Sequence, residues 1–207
     1  MMIRDWYLIR HAPVLGAQEK LYRSGDEPAD LSQTAVLDRL AAQLPEQGQW
    51  VTSPLLRAIM TARALGDRMP DTVKMREDAR LEEQDFGDWF GLSFDELWQK
   101  IKDLPPHNWS LLAAETTPAG GESFMAVWQR VGDFLAEQED VEKETPQIII
   151  SHAGVIRAIV GHILDMTPDQ ALSFGCDPLS LTHLQYSDQA HAGGQWRLVV
   201  LNQNFGE

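Results

Sequence analysis

The stretch that decides the fold is Tyr7-Leu8-Ile9-Arg10-His11-Ala12-Pro13, near the start of the chain. Its apolar run predicts a buried strand, and the sequence Arg-His-small-Pro predicts that the backbone turns away at the strand's carboxyl end. A neutral imidazole there can attack phosphorus, and a planar guanidinium can bind phosphoryl oxygens. Taken alone, the stretch is more simply explained by a strand end with a solvated arginine beside a satisfied histidine.

The chain has 207 residues, a formal net charge of −14 and one cysteine, Cys176. Its length suits a single α/β domain over residues 1–207, and neither a linker nor an internal repeat divides it. The acidic charge argues against nucleic acid or an anionic membrane as a partner. No apolar stretch has the length of a membrane span, and the first residues lack a signal-peptide core, so we expect a cytoplasmic protein. The lone cysteine agrees with a reducing compartment.

A second buried strand is predicted at Trp50-Val51-Thr52. Ser53 and Pro54 behind it are typical of a helix N-cap and the first helical position, which puts Arg57 in the first turn. The positive end of the helix dipole favours an anion there, so a cation is misplaced unless an anion binds beside it. A solvated arginine on the helix surface is the alternative.

A third strand, Ile148-Ile149-Ile150, runs into Ser151-His152-Ala153-Gly154 and repeats the geometry of the first. The carboxyl ends of parallel strands share one edge of a sheet, where α/β proteins bind their ligands. We therefore expect Arg10, His11, Arg57 and His152 to meet in one pocket of a mostly parallel sheet.

Two loops are further candidates for ligand contacts. Residues 14–30 form a polar loop after the first strand and contain Tyr22 and Arg23. The segment from Leu81 to Gly91 is acidic and aromatic, and one of its carboxylic acids could protonate a leaving group. The residues alone do not choose among Glu82, Glu83 and Asp85.

The remaining elements follow from local signals. Ser32 predicts the start of one helix, and the capping boxes Ser93 to Glu96 and Thr167 to Gln170 predict two more. Thr72–Met75 reads as a short strand, and a closing pair of strands is predicted around Gly193-Gly194. The glycines of Pro118–Ser123 form either a turn before the longest helix or a close backbone approach to a ligand. His107, His162, His183 and His191 lack metal-ligand spacing, so we expect no metal.

Four stretches resemble the motifs of the histidine phosphatase superfamily, across nearly the whole chain. Leu8–His11 is similar to L-x-R-H-G, with Ala12 replacing the glycine. Ser53–Ala62 is similar to the motif S-x-L-x-R-A-x-x-T-A. Leu81–Gly91 is similar to L-x-E-x-x-F-G-x-W-E-G, with Phe90 in place of the second glutamate. Ser151–Gly154 is similar to the turn that carries the second histidine of the superfamily.

This resemblance implies a phosphoglycerate-mutase-like fold, a three-layer α/β/α sandwich. It implies that His11 is the nucleophile, that Arg10, Arg57 and His152 bind phosphate, and that Glu83 is the proton donor, a choice made by the motif's register. Tyr22, Arg23 and Ala153 correspond to further substrate-binding positions. No cofactor is implied, and the expected partner is a small-molecule phosphate ester.

Within the superfamily, the chain is most similar to the α-ribazole phosphatase branch and its broad-specificity relatives. Arg23 and Phe90 depart from that branch where the leaving group would be recognised. A phosphoglycerate-type phosphomutase and a non-catalytic phospholigand- or protein-binding module are the alternatives, and a homodimer is left open.

One group of side chains either lines a partly aromatic entrance to the site, where a substrate ring could stack, or covers the core. Its members are Tyr22, Trp89, Phe90, Trp109 and Leu111.

Overall fold

A computed structural model describes residues 1–16, 27–138, 144–189 and 191–206. Its strands and helices are, in chain order, β1 (Ile3–Arg10), α1 (Thr34–Ala41), β2 (Gln49–Thr52), α2 (Leu56–Gly66), β3 (Met75–Glu77), α3 (Phe94–Ile101), α4 (Phe124–Gln138), β4 (Gln147–Ser151), α5 (Ala153–Ile163), α6 (Pro168–Ala171), β5 (Leu181–Ser187) and β6 (Trp196–Gln203). Short 3-10 helices span Ala79–Leu81 and Gly87–Trp89. Within these ranges, no helix has both the length and the hydrophobicity to cross a membrane.

The strands form one mixed sheet in the order β3-β2-β4-β1-β5-β6. The first four are parallel, and β5 and β6 add antiparallel pairs. Arg10 pairs with Ser151, and Thr52 pairs with Ile150. The residues that follow β1, β2 and β4 therefore leave the same edge of the sheet, and the predicted α/β fold is confirmed.

Strand β4 lies at the centre of the three layers, and all five of its residues are buried. Ile149 packs with α4 and α5 on one face, whereas Ile148 and Ile150 pack with α1 and α2 on the other. A strand covered on both faces must be apolar on both, which explains the uninterrupted isoleucine run.

Several predicted boundaries are wrong. Helix α2 begins at Leu56, with Leu55 as its N-cap, because the Ser53 hydroxyl is engaged elsewhere, as described below. Helix α1 begins after Gln33, without a side-chain cap, and β3 lies at Met75–Glu77 instead of Thr72–Met75. Both predicted capping boxes are confirmed.

The predicted aromatic mouth separates into different environments. Trp89 is buried in a small cluster with Leu97, Ile101 and Leu112. Trp109 is 73% exposed and Leu111 is 40% exposed. Phe90 is half-buried against Phe86, and Tyr22 lies outside the described residues. The interpretation that these aromatic side chains cover the core, and do not contact a substrate, is therefore correct for Trp89.

Candidate active site

Two histidines lie side by side at the carboxyl edge of the parallel strands. The ring centroids of His11 and His152 are 4.9 Å apart, and both side chains are almost fully buried. Arg57, in the first turn of α2, is 4% exposed, and Arg10 is the last residue of β1. The charges of both arginines act on both imidazoles. The structure thus brings together four groups that are remote along the chain.

The His11 imidazole is neutral and has a defined tautomer. Burial, followed by the charges of Arg10 and Arg57, lowers the pKa of His11 to about 3. Its Nδ1 lies 2.6 Å from the Ala12 carbonyl oxygen. Because a carbonyl only accepts hydrogen bonds, Nδ1 carries the proton and donates it. The lone pair therefore resides on Nε2, where a nucleophile needs it.

A chain of hydrogen bonds fixes the His11 turn to α2. The Ala12 N–H donates to Thr61 Oγ1 at 2.9 Å, and the Thr61 hydroxyl donates to the Arg57 carbonyl at 2.8 Å. The His11 N–H donates to the Ser151 carbonyl at 2.9 Å. These contacts set the position of His11 relative to both Arg57 and the turn that carries His152.

The His152 side chain is fully buried and is held by Ser53. Its Nε2 lies 2.8 Å from Ser53 Oγ, which also accepts from the Leu55 N–H at 3.3 Å. Its Nδ1 has no hydrogen-bond partner among the described residues. Burial, followed by the unfavourable interactions that a protonated ring would have with His11 and Arg57, lowers the pKa of His152 well below its usual value.

Arg10 is oriented by the segment that precedes β5. Its Nη1 donates to the Cys176 carbonyl at 2.5 Å, and its buried Nε has no hydrogen-bond partner in the described part of the chain. The Cys176 thiol is itself buried, which raises its pKa to about 11. Such a thiol stays protonated at neutral pH and serves as a packed side chain.

Glu83 is the acidic residue that reaches the start of α5. Its Oε1 accepts from the Gly154 N–H at 3.2 Å and from the Gln84 N–H at 3.1 Å. These two contacts place the Glu83 side chain beside the first turn of α5. The Asp85 carboxylate instead accepts from the Gly87 N–H at 2.8 Å and closes its own turn.

The backbone of the Glu83 loop is held by Arg130 of α4. Arg130 Nη1 donates to the Arg80 carbonyl at 2.6 Å, and Nη2 lies 2.7 Å from Glu122 Oε1 and 3.4 Å from the Glu83 carbonyl. This partly buried ion pair therefore joins α4, the segment before it and the acidic loop.

The glycines before α4 serve loop packing. A Cβ at Gly121 would lie 2.3 Å from the Asp85 carbonyl oxygen, and one at Gly87 would lie 2.2 Å from the Ala119 carbonyl oxygen. Gly87 also has a φ of +52°, which favours glycine. The close approach that the structure shows at these two glycines is therefore between two backbone segments.

The predicted site residues have different outcomes. Arg10, His11, Arg57, His152 and Glu83 meet at one edge, and Ala153 begins α5 beside them. Tyr22 and Arg23 lie outside the described residues. Three supporting residues were missed: Ser53, Thr61 and Arg130. The first two stood within the second motif, whereas nothing in the helical pattern of α4 marks Arg130.

The charges of the site favour an anion. In the described ranges, no cluster of three or more His, Cys, Asp or Glu side chains is arranged to hold a metal ion. Two guanidiniums beside two neutral imidazoles would attract a dianionic phosphoryl group and repel a cation.

The comparisons with known proteins agree with this geometry. The family model of the histidine phosphatase superfamily (branch 1) matches residues 6–204. The α-ribazole phosphatase from Shigella flexneri superposes with a TM-score of 0.78 and 25% identity, covering 96% of each chain. A mycobacterial glucosyl-3-phosphoglycerate phosphatase with bound inorganic phosphate superposes with a TM-score of 0.76 and 26% identity, covering 97% of this chain and 98% of that one.

Two curated relatives carry different activities in their names. Phosphoserine phosphatase 1 of Hydrogenobacter thermophilus is 26% identical and covers 74% of this chain and 68% of its own length. The 2,3-bisphosphoglycerate-dependent phosphoglycerate mutase of Brucella melitensis is 28% identical, and the match covers 83% of this chain and 86% of the mutase. The match of the family model over residues 6–204 shows that the chain belongs to the histidine phosphatase superfamily.

Gly154→Ala tests the contact between Glu83 and α5. A Cβ at residue 154 would lie 2.5 Å from Glu83 Oε1, so the carboxylate must move. We expect kcat for an alkyl phosphate to fall by about 100-fold, the order of loss caused by a 1 Å misplacement. The melting temperature should change little, since alanine suits the first turn of a helix. Gly206→Ala, where nothing lies within 4 Å, is the matched control, and an unchanged kcat in Gly154→Ala would contradict the contact.

The buried histidines predict a loss of stability in mild acid. His11 and His152 resist protonation when folded, whereas a histidine in the unfolded chain binds a proton near pH 6.5. The unfolded state therefore binds more protons below that pH, so the free energy of unfolding falls as the pH falls. Urea titrations should show a loss of about 2 kcal/mol between about pH 6.5 and 5.5, and about half of it in His11→Asn. Equal stabilities at the two pH values would refute the assignment of neutral, buried imidazoles.

Proposed function

We propose that this protein is a phosphomonoesterase that hydrolyses a small-molecule phosphate ester through a phosphohistidine at His11. The observation that carries the proposal is the contact of His11 with Ala12: Nδ1–H donates to the Ala12 carbonyl, so the lone pair is on Nε2, in a ring that experiences the charges of Arg10 and Arg57. A neutral imidazole in an electropositive pocket can attack phosphorus without prior removal of a proton.

The first step transfers the phosphoryl group to the protein. His11 Nε2 forms a bond to phosphorus, and the bond from phosphorus to the alcohol oxygen breaks. Glu83 donates a proton to that oxygen as it leaves. Arg10, Arg57 and His152 hold the three transferring oxygens, whose charge has to be stabilised throughout the transfer.

The second step returns the protein to its starting state. Glu83, now ionised, accepts a proton from water as the water oxygen attacks the phosphohistidine. The bond from Nε2 to phosphorus breaks, inorganic phosphate leaves, and Glu83 regains its proton. No metal ion or organic cofactor takes part in either step, because the arginines supply the positive charge.

His152 has a role that follows from its partners. If the Ser53 hydroxyl donates to Nε2, the neutral ring carries its proton on Nδ1, the nitrogen that has no partner among the described residues. Nδ1–H then donates to a phosphoryl oxygen. Ser53 is thus a positioning residue that selects the tautomer of His152.

The proposed substrate class is a small phosphate ester, with α-ribazole 5'-phosphate or a broader range of esters as the first candidates. Similarity to the Shigella α-ribazole phosphatase and to other phosphatases of small molecules supports this class. We further propose a cytoplasmic protein with neither nucleic acid nor membrane as a partner, and a homodimer stays a prediction.

A phosphomutase is the second candidate function. The similarity to the Brucella phosphoglycerate mutase favours it, since the two chains match over most of their lengths. The two reactions share the first step and differ in the acceptor of the phosphoryl group. In a mutase the acceptor is a hydroxyl of the bound sugar acid instead of water.

Glu83→Gln should separate substrates by their leaving groups. An alkyl alcohol needs a proton as it leaves, whereas 4-nitrophenolate barely does, so we expect about a 100-fold or greater loss of kcat/KM for the alkyl ester and a much smaller loss for the aryl ester. Asp85→Asn is the matched control, because that carboxylate closes its own turn. Equal losses on both esters would show that Glu83 is not the acid.

An assay with 3-phosphoglycerate in the presence of EDTA distinguishes the candidate functions. We expect inorganic phosphate to be released at the same rate with and without the chelator. Formation of 2-phosphoglycerate without free phosphate would instead establish the mutase. Inhibition by EDTA would contradict the metal-independent mechanism, and binding without turnover of any phosphate ester would establish a binding module.

A further inference from the structure

A cavity of about 640 Å³ lies at the edge of the sheet opposite the candidate active site. Its floor is formed by Arg4 and Trp6 of β1, Tyr186 of β5 and Trp196 of β6, and its walls are the last turns of α4 and α5. Along β1, Arg10 lies six positions after Arg4, a span of about 20 Å. Neither the nucleophile nor any proposed phosphate ligand lines this cavity.

Two partly exposed aromatic side chains, Tyr186 and Trp196, line the floor. Arg4 pairs with Tyr186, and Tyr186 pairs with Trp196, so these side chains project from one face of the sheet. The Trp6 and Trp196 ring centroids are 5.2 Å apart, and those of Tyr186 and Trp196 are 5.0 Å apart. The floor therefore offers the surface that an aromatic ligand ring would pack against.

Two buried donors lie beside these rings. Arg4 is 3% exposed and Trp6 is 2% exposed. Arg4 Nε donates to the Thr145 carbonyl at 2.9 Å and Nη1 to the Gln138 carbonyl at 3.3 Å. Arg4 Nη2 and Trp6 Nε1 have no hydrogen-bond partner among the described residues. Since buried donors are nearly always paired, these two point to an acceptor that a ligand would supply.

The guanidinium and the indole are neighbours. Arg4 Cζ lies over the Trp6 ring, 5.5 Å from its centroid. A carboxylate, with two acceptor oxygens, can take one hydrogen bond from each donor.

The surrounding charges favour one negative charge over two. Asp165 lines the same cavity, and α4 and α5 both end there, which brings the negative ends of two helix dipoles. His162 is engaged with the Trp128 carbonyl at 2.9 Å. Burial lowers the pKa of Arg4, and an anion beside the guanidinium would oppose that effect. A monoanion therefore fits better than a dianionic phosphate.

We propose that this cavity is a second ligand site, for a small planar aromatic carboxylate. The carboxylate accepts hydrogen bonds from Arg4 Nη2 and Trp6 Nε1, and the ring packs on Tyr186 and Trp196. The volume lies within the range of small-molecule sites, about 300–1,000 Å³.

Calorimetric titration of the full chain with 2-naphthoate tests the proposal. We expect one binding site whose affinity is the same with and without saturating inorganic phosphate, since the proposed phosphate site lies at the other edge of the sheet. The neutral analogue 2-naphthamide should bind more weakly by a factor of about 10 or more, because it lacks the charge that Arg4 recognises. Absence of 2-naphthoate binding, displacement by phosphate, or equal binding of the amide would each overturn the proposal.

Two variants with opposite expected effects on the affinity for 2-naphthoate complete the test. Arg4→Gln should weaken 2-naphthoate binding by about 10-fold or more, whereas Asp165→Asn should strengthen it several-fold. Asparagine tolerates the left-handed backbone of residue 165, whose φ is +57°. Hydrolysis of an aryl phosphate should be unchanged in both, which controls for the fold. If Arg4→Gln does not fold, Asp165→Asn decides, and an unchanged or weaker affinity in that variant would overturn the assignment.

Discussion

The exclusion of protons from two adjacent buried imidazoles is the constraint on which the site depends. His11 and His152 are held out of water and beside two guanidiniums, so burial and charge act in the same direction on both pKa values. Two guanidiniums beside two neutral imidazoles favour a dianion such as phosphate in this pocket. The arrangement that the proposed nucleophile His11 requires is therefore also one that favours phosphate.

The fold enforces this constraint through parallel strands. Because β1, β2 and β4 end at one edge, groups that are remote along the chain become neighbours there. Short side chains then fix their positions: Thr61 links the His11 turn to α2, and the Ser151 hydroxyl donates to the Leu81 carbonyl at 2.8 Å, just before the acidic loop. The protein as a whole carries a charge of −14, so binding of a phosphate dianion depends on the positive groups gathered at this edge. Such a local cluster suits a small phosphate ester better than an extended polyanion.

The sequence predicted the parts of this design that depend on local pattern. The apolar run Ile148–Ile150 predicted a strand, and Arg10 and His11 followed another apolar run that predicted a buried strand. The start of α2 was misplaced because Ser53 has the signature of a helix cap while its hydroxyl contacts His152 instead. The contact between Gly121 and the Asp85 backbone was not predictable, since it joins segments that are remote along the chain. The choice of Glu83 over its neighbours came from the register of a family motif, and the residues alone did not make it.

The central claim is that phosphate passes through His11 Nε2, and trapping the covalent intermediate tests it most directly. The protein would be mixed with an aryl phosphate, quenched in alkaline denaturant within one turnover, digested and analysed by mass spectrometry. The account predicts one phosphoryl group on the peptide that contains His11, and none in His11→Ala, which should also lack turnover. Steady hydrolysis by the wild type with the phosphoryl group on another residue, or undiminished turnover in His11→Ala, would contradict it.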